Sequence, residues 1–429
     1  MAHHLVANRR FAPLFFCQVI SWFNDNFLKN TLVFLILFNV AEGSAALISL
    51  ASAVYIVPFL FLSALGGQIA DRYDKAAILR GLKLVEIAGA VLATLGMAFQ
   101  SIPILFSSLL MFGVVSAFGV PVQYSILPEQ MRPNELPTAN AWLKGSVFLA
   151  KLGSTLSAGL LFTLDIAHLA FAPIIVTLAI ACYLVSRMIP STTAASPGLR
   201  VDWNIIKSTW EIFADLVRER RFLVIAAMTS WFWLISAMIF AVLPVFVKEN
   251  MGGGESAVTF FLVVFAFSIG IGSAFAARLC AGRVVFLPSI IGIALMSVFC
   301  FDIHFVITGV AEQHTAVPIL DFIVQAHVVR IAIDVAGIAT AGGLLLVPTS
   351  VALQVWPEPG RRARTIAGAS ALGAALIVIF GTALAAAQKF GLSAPDAMLI
   401  LSGLNAVAFV LVIRFLPVPL FGRPRSGTS

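Results

Sequence analysis

The stretch RRFAPLFFCQVISWFNDNFLKNTLVFLILFNV, residues 9–40, opens on two arginines and then runs apolar from Phe11 to Val40, interrupted only around Asp25 and Lys29. A bilayer core of about 30 Å is crossed by about 20 helical residues, so this run is long enough to span it. Similar runs recur along all 429 residues. The chain is 60% apolar and only 11% charged, against roughly 25% charged residues in an ordinary soluble domain. These runs do not alternate over about ten residues as barrel strands do, so the spans are read as helices.

Twelve spans follow, near 11–40, 46–70, 76–98, 102–124, 137–163, 168–189, 222–247, 255–278, 284–308, 331–356, 364–387 and 395–416. The first contains charges and lacks a small-residue cleavage site, so no cleavable signal peptide is expected. With an inside N-terminus, 21 of the 27 Lys and Arg residues fall on cytoplasmic segments, three fall outside and three lie within spans. That bias places both termini in the cytoplasm. The net charge of +7 is then a topology signal, and no nucleic-acid partner is expected.

The longest polar interval, 190–221, divides the chain into an N-terminal half, 1–189, and a C-terminal half, 222–429. Within it Trp203, Ile206, Trp210, Ile212, Phe213 and Leu216 recur at roughly helical spacing, which predicts an amphipathic helix on the cytoplasmic membrane surface. The halves echo each other: RRFAPLFFCQVISWF at 9–23 resembles RRFLVIAAMTSWF at 220–232. The expected fold is all-α, a polytopic membrane protein of twelve transmembrane helices in two pseudo-symmetric six-helix halves. Parallel six-helix repeats are the layout of the major facilitator superfamily, whose substrate cavity lies between the halves. The loop after span two, Gly67-Gln-Ile-Ala-Asp71-Arg72-Tyr-Asp74-Lys75, resembles that superfamily's G-x-x-x-D-R-x-G-R/K signature, with Asp74 where the second glycine usually stands. Gly67 would let helices approach, and Asp71 with a basic partner would latch the cytoplasmic side, with Arg72 and Lys75 in the gating group.

Asp25 lies 14 residues into span one, about 21 Å along a helix, and Lys29 follows on the same face. A lone charge there costs on the order of 2.5–3.5 kcal/mol, so both are expected to face the protein interior. They either form an ion pair that fixes packing or serve a site, and intramembrane charges are functional by default. Lys144 and Lys151 share a face of span five, with Lys151 level with Asp25 and Lys144 shallow enough to snorkel. An Asp25–Lys151 pair and a phosphate held by lysines are both open. Glu86 is expected to pair with Lys83 near the inner surface, and Arg330 with Asp334 near the outer one. Trp231 and Trp233 are read as packing or lipid-facing, or else as the lining of an acyl-chain channel. Cys17, Cys182, Cys280 and Cys300 have no metal spacing. There is no phosphate-binding glycine loop, nucleophile elbow or metal-spaced histidine pair, so neither enzymatic activity, a cofactor nor a metal is expected.

FNDNFLKNTLVFLI at 23–36, YSILPEQMRPNEL at 124–136 with ANAW at 139–142, and GGLLLVPTSVALQ at 342–354 together resemble the lysophospholipid transporters, including the transporter portion of fused transporter–acyltransferase proteins. The resemblance implies movement of lysophospholipid, chiefly lysophosphatidylethanolamine, from the outer to the inner leaflet of a bacterial inner membrane by alternating access. It places Asp25, Asn26 and Lys29 on the family's polar motif. No H-x4-D motif is present, so a separate acyltransferase is an expected partner beside membrane lipids. Two departures matter: Gln123 stands where relatives usually carry lysine, and Lys144 and Lys151 where they carry glutamate and an uncharged residue. Substrate-binding candidates are therefore Asp25, Asn26, Lys29, Gln123, Lys144 and Lys151. The rival expectation is an efflux transporter for amphipathic drugs, with a proton at Asp25.

Overall fold

The computed structural model describes residues 5–39, 44–164, 166–280, 283–309 and 318–416. Its described residues form twelve long helices and no strands. They are α1 (Ala12–Asn39), α2 (Ser44–Arg72), α3 (Lys75–Ala98), α4 (Ile102–Gln130), α5 (Leu136–Thr163) and α6 (Ala167–Ser186), then α8 (Arg220–Glu249), α9 (Glu255–Cys280), α10 (Leu287–Thr308), α12 (Ala326–Val355), α13 (Arg362–Lys389) and α14 (Ala394–Phe415). Between them lie the shorter α7 (Ile205–Arg218) and α11 (Ile319–Phe322). Ten of the twelve are long and apolar enough to cross a membrane by length and composition. The other two, α1 and α3, carry Asp25 with Lys29 and Lys83 with Glu86.

The chain forms two compact units. The first comprises residues 1–139, 146–218 and 353–374; the second comprises 140–145, 219–352 and 375–429. In the first unit Phe27, Leu28, Leu32 and Ile36 of α1 pack with Ala90 and Ala93 of α3, Leu109 and Phe112 of α4, and Phe171 and Ile175 of α6. Phe27 stacks on Phe171 with ring centroids 5.8 Å apart. Apolar packing does not select partners in lipid, so polar contacts add the specificity. Asn24 donates to the Ile175 carbonyl of α6 and Asn30 to Thr155 of α5. Asn26 donates to the Trp22 carbonyl one turn back in its own helix.

The amphipathic helix is α7, and it has two apolar faces. Ile212 and Leu216 are buried, with Leu216 beside Gly368 of α13, while Ser208 accepts from Gln68 and Thr209 donates to the Phe61 carbonyl of α2. Trp203, Ile206, Trp210 and Val217 remain exposed.

Small residues set the approach of helices in the second unit. A Cβ on Gly343 of α12 would strike the Gly272–Ser273 backbone of α9, and one on Gly342 would strike Phe232 of α8. Trp231 donates to Asn405 of α14 at 2.8 Å, and Ser297 and Ser402 each donate to the other's carbonyl at 2.8 Å. Trp231 is thus a packing anchor. Two expectations are corrected here. Helix α12 begins at Ala326, not near 331, because His327 and Arg330 continue the helix; the expected surface segment at 312–330 lies partly outside the described residues. Arg330 pairs with Asp302 of α10, through Nε at 2.8 Å and Nη2 at 2.5 Å, rather than one turn along with Asp334.

Asp74 explains the departure from the loop signature. Its φ of −59° needs no glycine, and its side chain caps α3 by accepting from the Ala76 N–H at 3.0 Å while also accepting from the N–H and hydroxyl of Thr192, both at 2.9 Å. Partial burial pushes this carboxyl up, but the Thr192 and Ala76 hydrogen bonds and the Arg80 charge outweigh it and hold it below the usual carboxylate range. A lowered folded pKa adds stability above the unfolded value, which is lost as pH falls through the folded one. Asp74→Ala is expected to cost about 1 kcal/mol at neutral pH. In thermal unfolding of the purified protein, the gap to wild type should narrow below about pH 4; an equal gap at all pH would remove the carboxylate from the account.

Candidate functional site

Charged and polar groups meet in the interior of the first unit. Asp25 is 2% exposed and takes hydrogen bonds on Oδ2 from Tyr55 of α2 at 2.8 Å and from Ser116 of α4. These donors, rather than Lys29, partner it, and its Oδ1 is buried without a hydrogen bond. A cavity of about 10 Å³ touches Asp25, Ser21, Trp22, Lys83, Ser116 and Gln123, a size on the order of a single water.

Lys83 and Glu86 lie beside it, paired at 2.5 Å and 2% and 0% exposed. Lys83 also donates to Ser21 at 2.6 Å, and Ser21 donates to Glu86 at 3.2 Å, so α1 is tied to α3. The pairing was expected, its depth was not. Lys83, counted among the cytoplasmic charges, faces the interior because a full helical turn separates it from the loop and its neighbour Glu86 supplies the counter-charge. Glu86 and Lys83 both act electrostatically on Asp25.

A second group lies on α1 and α5. The Lys151 ammonium sits 5.2 Å from the ring centre of Trp22 and 5.3 Å from that of Phe148, within cation–π range. Lys29 and Asp25 are both close enough to act on its charge. Asp25, Lys29 and Lys151 therefore share one neighbourhood, with a carboxylate, two ammonium groups and two aromatic faces. Gln123 reaches the cavity from α4, whereas Asn26 is occupied in its own helix. Lys144 belongs to the second unit, where it is 5% exposed and lies 5.8 Å from the Trp233 ring centre. Sequence reasoning missed Lys83, Tyr55 and Ser116; the one available signal was Glu86 three residues from Lys83 on a shared face.

The signature loop builds a junction in the first unit. Asp71 is wholly buried and caps the start of α13, accepting from the Ala363 N–H at 3.0 Å, the Arg364 N–H at 3.3 Å and Arg364 Nε at 3.2 Å. A carboxylate at a helix N-terminus satisfies orphan donors and meets the positive end of the dipole. A Cβ on Gly67 would lie 2.8 Å from Ala367 Cβ and 2.9 Å from Arg364 Cα, so α2 and α13 touch at backbone distance. The basic partner of Asp71 is Arg364. Lys75 is buried and paired with Glu129 of α4 at 2.7 Å, and Arg72 lies over the Tyr73 ring at 5.0 Å.

Removing one member of a buried ion pair leaves an uncompensated charge, costing about 3–5 kcal/mol, whereas replacing both with apolar residues is far milder. Thermal unfolding in detergent should show Glu86→Gln as less stable than the Lys83→Met, Glu86→Leu double variant. The reverse order would contradict the pairing.

Comparison with known proteins agrees with this architecture. The family model of the Major Facilitator Superfamily matches residues 14–317. The chain is 26% identical over 230 residues to the lysophospholipid transporter LplT of Pectobacterium carotovorum, covering 52% of this chain and 54% of that protein. It is 28% identical over 273 residues to LplT of Escherichia coli, covering 61% and 64%. The match thus spans about half to two thirds of the length of these relatives. Among solved structures, the human organic anion transporter MFSD10 (TETRAN) superposes with a TM-score of 0.71 at 13% identity, covering 94% of this chain and 99% of that one. The proton:xylose symporter XylE gives a TM-score of 0.71 at 11% identity, covering 97% of both. With twelve long helices, the conserved-pattern loop built into a helix junction and a family match over most of its length, the chain belongs to the Major Facilitator Superfamily of membrane transporters.

Proposed function

We propose that this transporter moves a lysophospholipid of the lysophosphatidylethanolamine type across the bacterial inner membrane by alternating access, its two six-helix halves rocking about a site with both termini in the cytoplasm. The observation that carries the reading is the convergence of Asp25, Lys29 and Lys151 beside Trp22 and Phe148. A zwitterionic head group asks for one anion and at least one cation, and its glycerol and acyl parts ask for apolar surface. Asp25, with one oxygen lacking a hydrogen bond, takes the ammonium; Lys29 and Lys151 take the phosphate through charge-assisted hydrogen bonds. Gln123 supplies an uncharged polar contact, and Lys144, beside Trp233, serves a later position of the phosphate. The similarity to the LplT proteins supports the substrate class.

Asp71 and Gly67, with Arg72 and Lys75 flanking them, form the gate in this reading. The cap on α13 must be broken for α2 and α13 to part, and Lys75–Glu129 holds the loop to α4 meanwhile. Re-acylation falls to a separate acyltransferase. Uptake of labelled lysophosphatidylethanolamine into spheroplasts tests the proposal. Asp25→Asn should reduce uptake to the empty-vector level with normal amounts in the membrane, and Lys151→Met should weaken apparent affinity roughly tenfold, as expected for a lost charged hydrogen bond. Unaltered uptake in both variants, or drug sensitivity on deletion with unaltered lipid uptake, would overturn it in favour of efflux.

A further inference from the structure

The second unit carries titratable groups that the proposed lipid site does not use. Asp302 of α10 and Arg330 of α12 form a two-pronged pair at 2.8 and 2.5 Å, and the carboxyl of Asp334, one turn beyond Arg330, is within hydrogen-bonding reach of Asp302. Asp334 is 97% buried (3% exposed), and its Oδ2 has no hydrogen-bond partner. Two carboxylates cannot donate to each other; a hydrogen bond between them needs a proton on one. Asp302 accepts both guanidinium N–H groups, which only an ionised carboxylate does well.

From this geometry we propose that Asp334 holds an exchangeable proton, shared with Asp302, and that the Asp302–Arg330–Asp334 cluster is a proton-binding site separate from the lipid site. Release leaves a carboxylate four residues from Arg330 on the same helical face. Arg330 can then turn to Asp334, and the proton next bound is received by the carboxyl it leaves. The step is an acid–base exchange with water and needs no other reactant. Among the described residues, Asp302 and Arg330 are the charged groups acting on Asp334. Cys300 of α10 adjoins it as a buried thiol, and His304 is turned to the Pro395 carbonyl of α14 at 2.9 Å. His327 opens α12; Lys248 and Glu249 close α8, and Glu255 opens α9. The described residues contain no group of three or more His, Cys, Asp or Glu able to hold a metal ion, which favours a proton over a metal cation.

The coupling of this proton to transport rests on the transporter reading; the proton site itself does not, and the two are tested apart. Infrared difference spectra of the whole protein in nanodiscs, recorded between acid and alkaline buffer with choline as the cation, should contain a protonated-carboxyl C=O band. That band should vanish in Asp334→Asn, return in Asp334→Glu and persist in Asp25→Asn. An undiminished band in Asp334→Asn overturns the inference. Loss of the wild-type band when sodium replaces choline at fixed pH assigns the cluster to a metal cation and overturns it too. Protein that fails to take up lysophosphatidylethanolamine but keeps the Asp334 band refutes the substrate proposal alone. Protein that takes up lipid and lacks the band refutes the proton site alone.

Discussion

The Lys83–Glu86 ion pair is the constraint around which the first unit is organised. Two opposite charges 2.5 Å apart in a nearly water-free interior are tolerable only while each has its partner. Ser21 joins the pair from α1, which fixes the rotation of that helix and turns Asp25, one turn further on, toward Tyr55 and Ser116. Rotation of α1 in turn places Trp22 under Lys151 and Lys29 near it. A structural ion pair and a binding site thus occupy adjoining turns of the same helices, and the first gives the second its geometry.

The α2–α13 junction follows a different logic. It is held by a helix cap, with Asp71 satisfying donors that α13 would otherwise leave open, and by the absence of a side chain at Gly67. Both are contacts that form or fail as a unit, since a cap lost by small displacement loses several hydrogen bonds together. Such a contact suits a gate better than a broad apolar interface, whose energy changes gradually with separation. The linker adds to it, because the Ser196 N–H donates to the Asp71 carbonyl at 2.7 Å and its hydroxyl to the Gly360 carbonyl at 3.3 Å.

Much of this was legible in the sequence. Twelve apolar runs became twelve long helices because apolar length is the direct requirement for spanning a bilayer. Asp25 and Lys151 were placed at one level by helical rise alone. The remainder failed where the answer depended on another helix. Tyr55 and Ser116 lie in runs with no distinguishing pattern, and their role comes from facing Asp25. Lys83 sits close enough to the loop to look like a topology charge. Arg330 had a correctly spaced partner in Asp334, yet the nearer carboxylate came from Asp302, an acid inside an apolar span that had gone unremarked. Asp74 looked like damage to a glycine signature until its cap on α3 and its bonds to Thr192 were visible. The second apolar face of α7 was hidden because a helix that both docks on the protein and presents apolar side chains outward shows too many apolar residues for one stripe.

The central claim is that Asp25, Lys29 and Lys151 together recognise a zwitterionic head group. Equilibrium binding of labelled lysophosphatidylethanolamine to the purified protein in phosphatidylcholine nanodiscs, in competition with glycerophosphoethanolamine and with monoacylglycerol, tests it most directly. The account predicts displacement by the acyl-free head group and none by the head-group-free lipid, with the former lost in Lys151→Met. Displacement by monoacylglycerol alone, unchanged in that variant, would mean that the acyl chain is what the protein binds and would contradict the account.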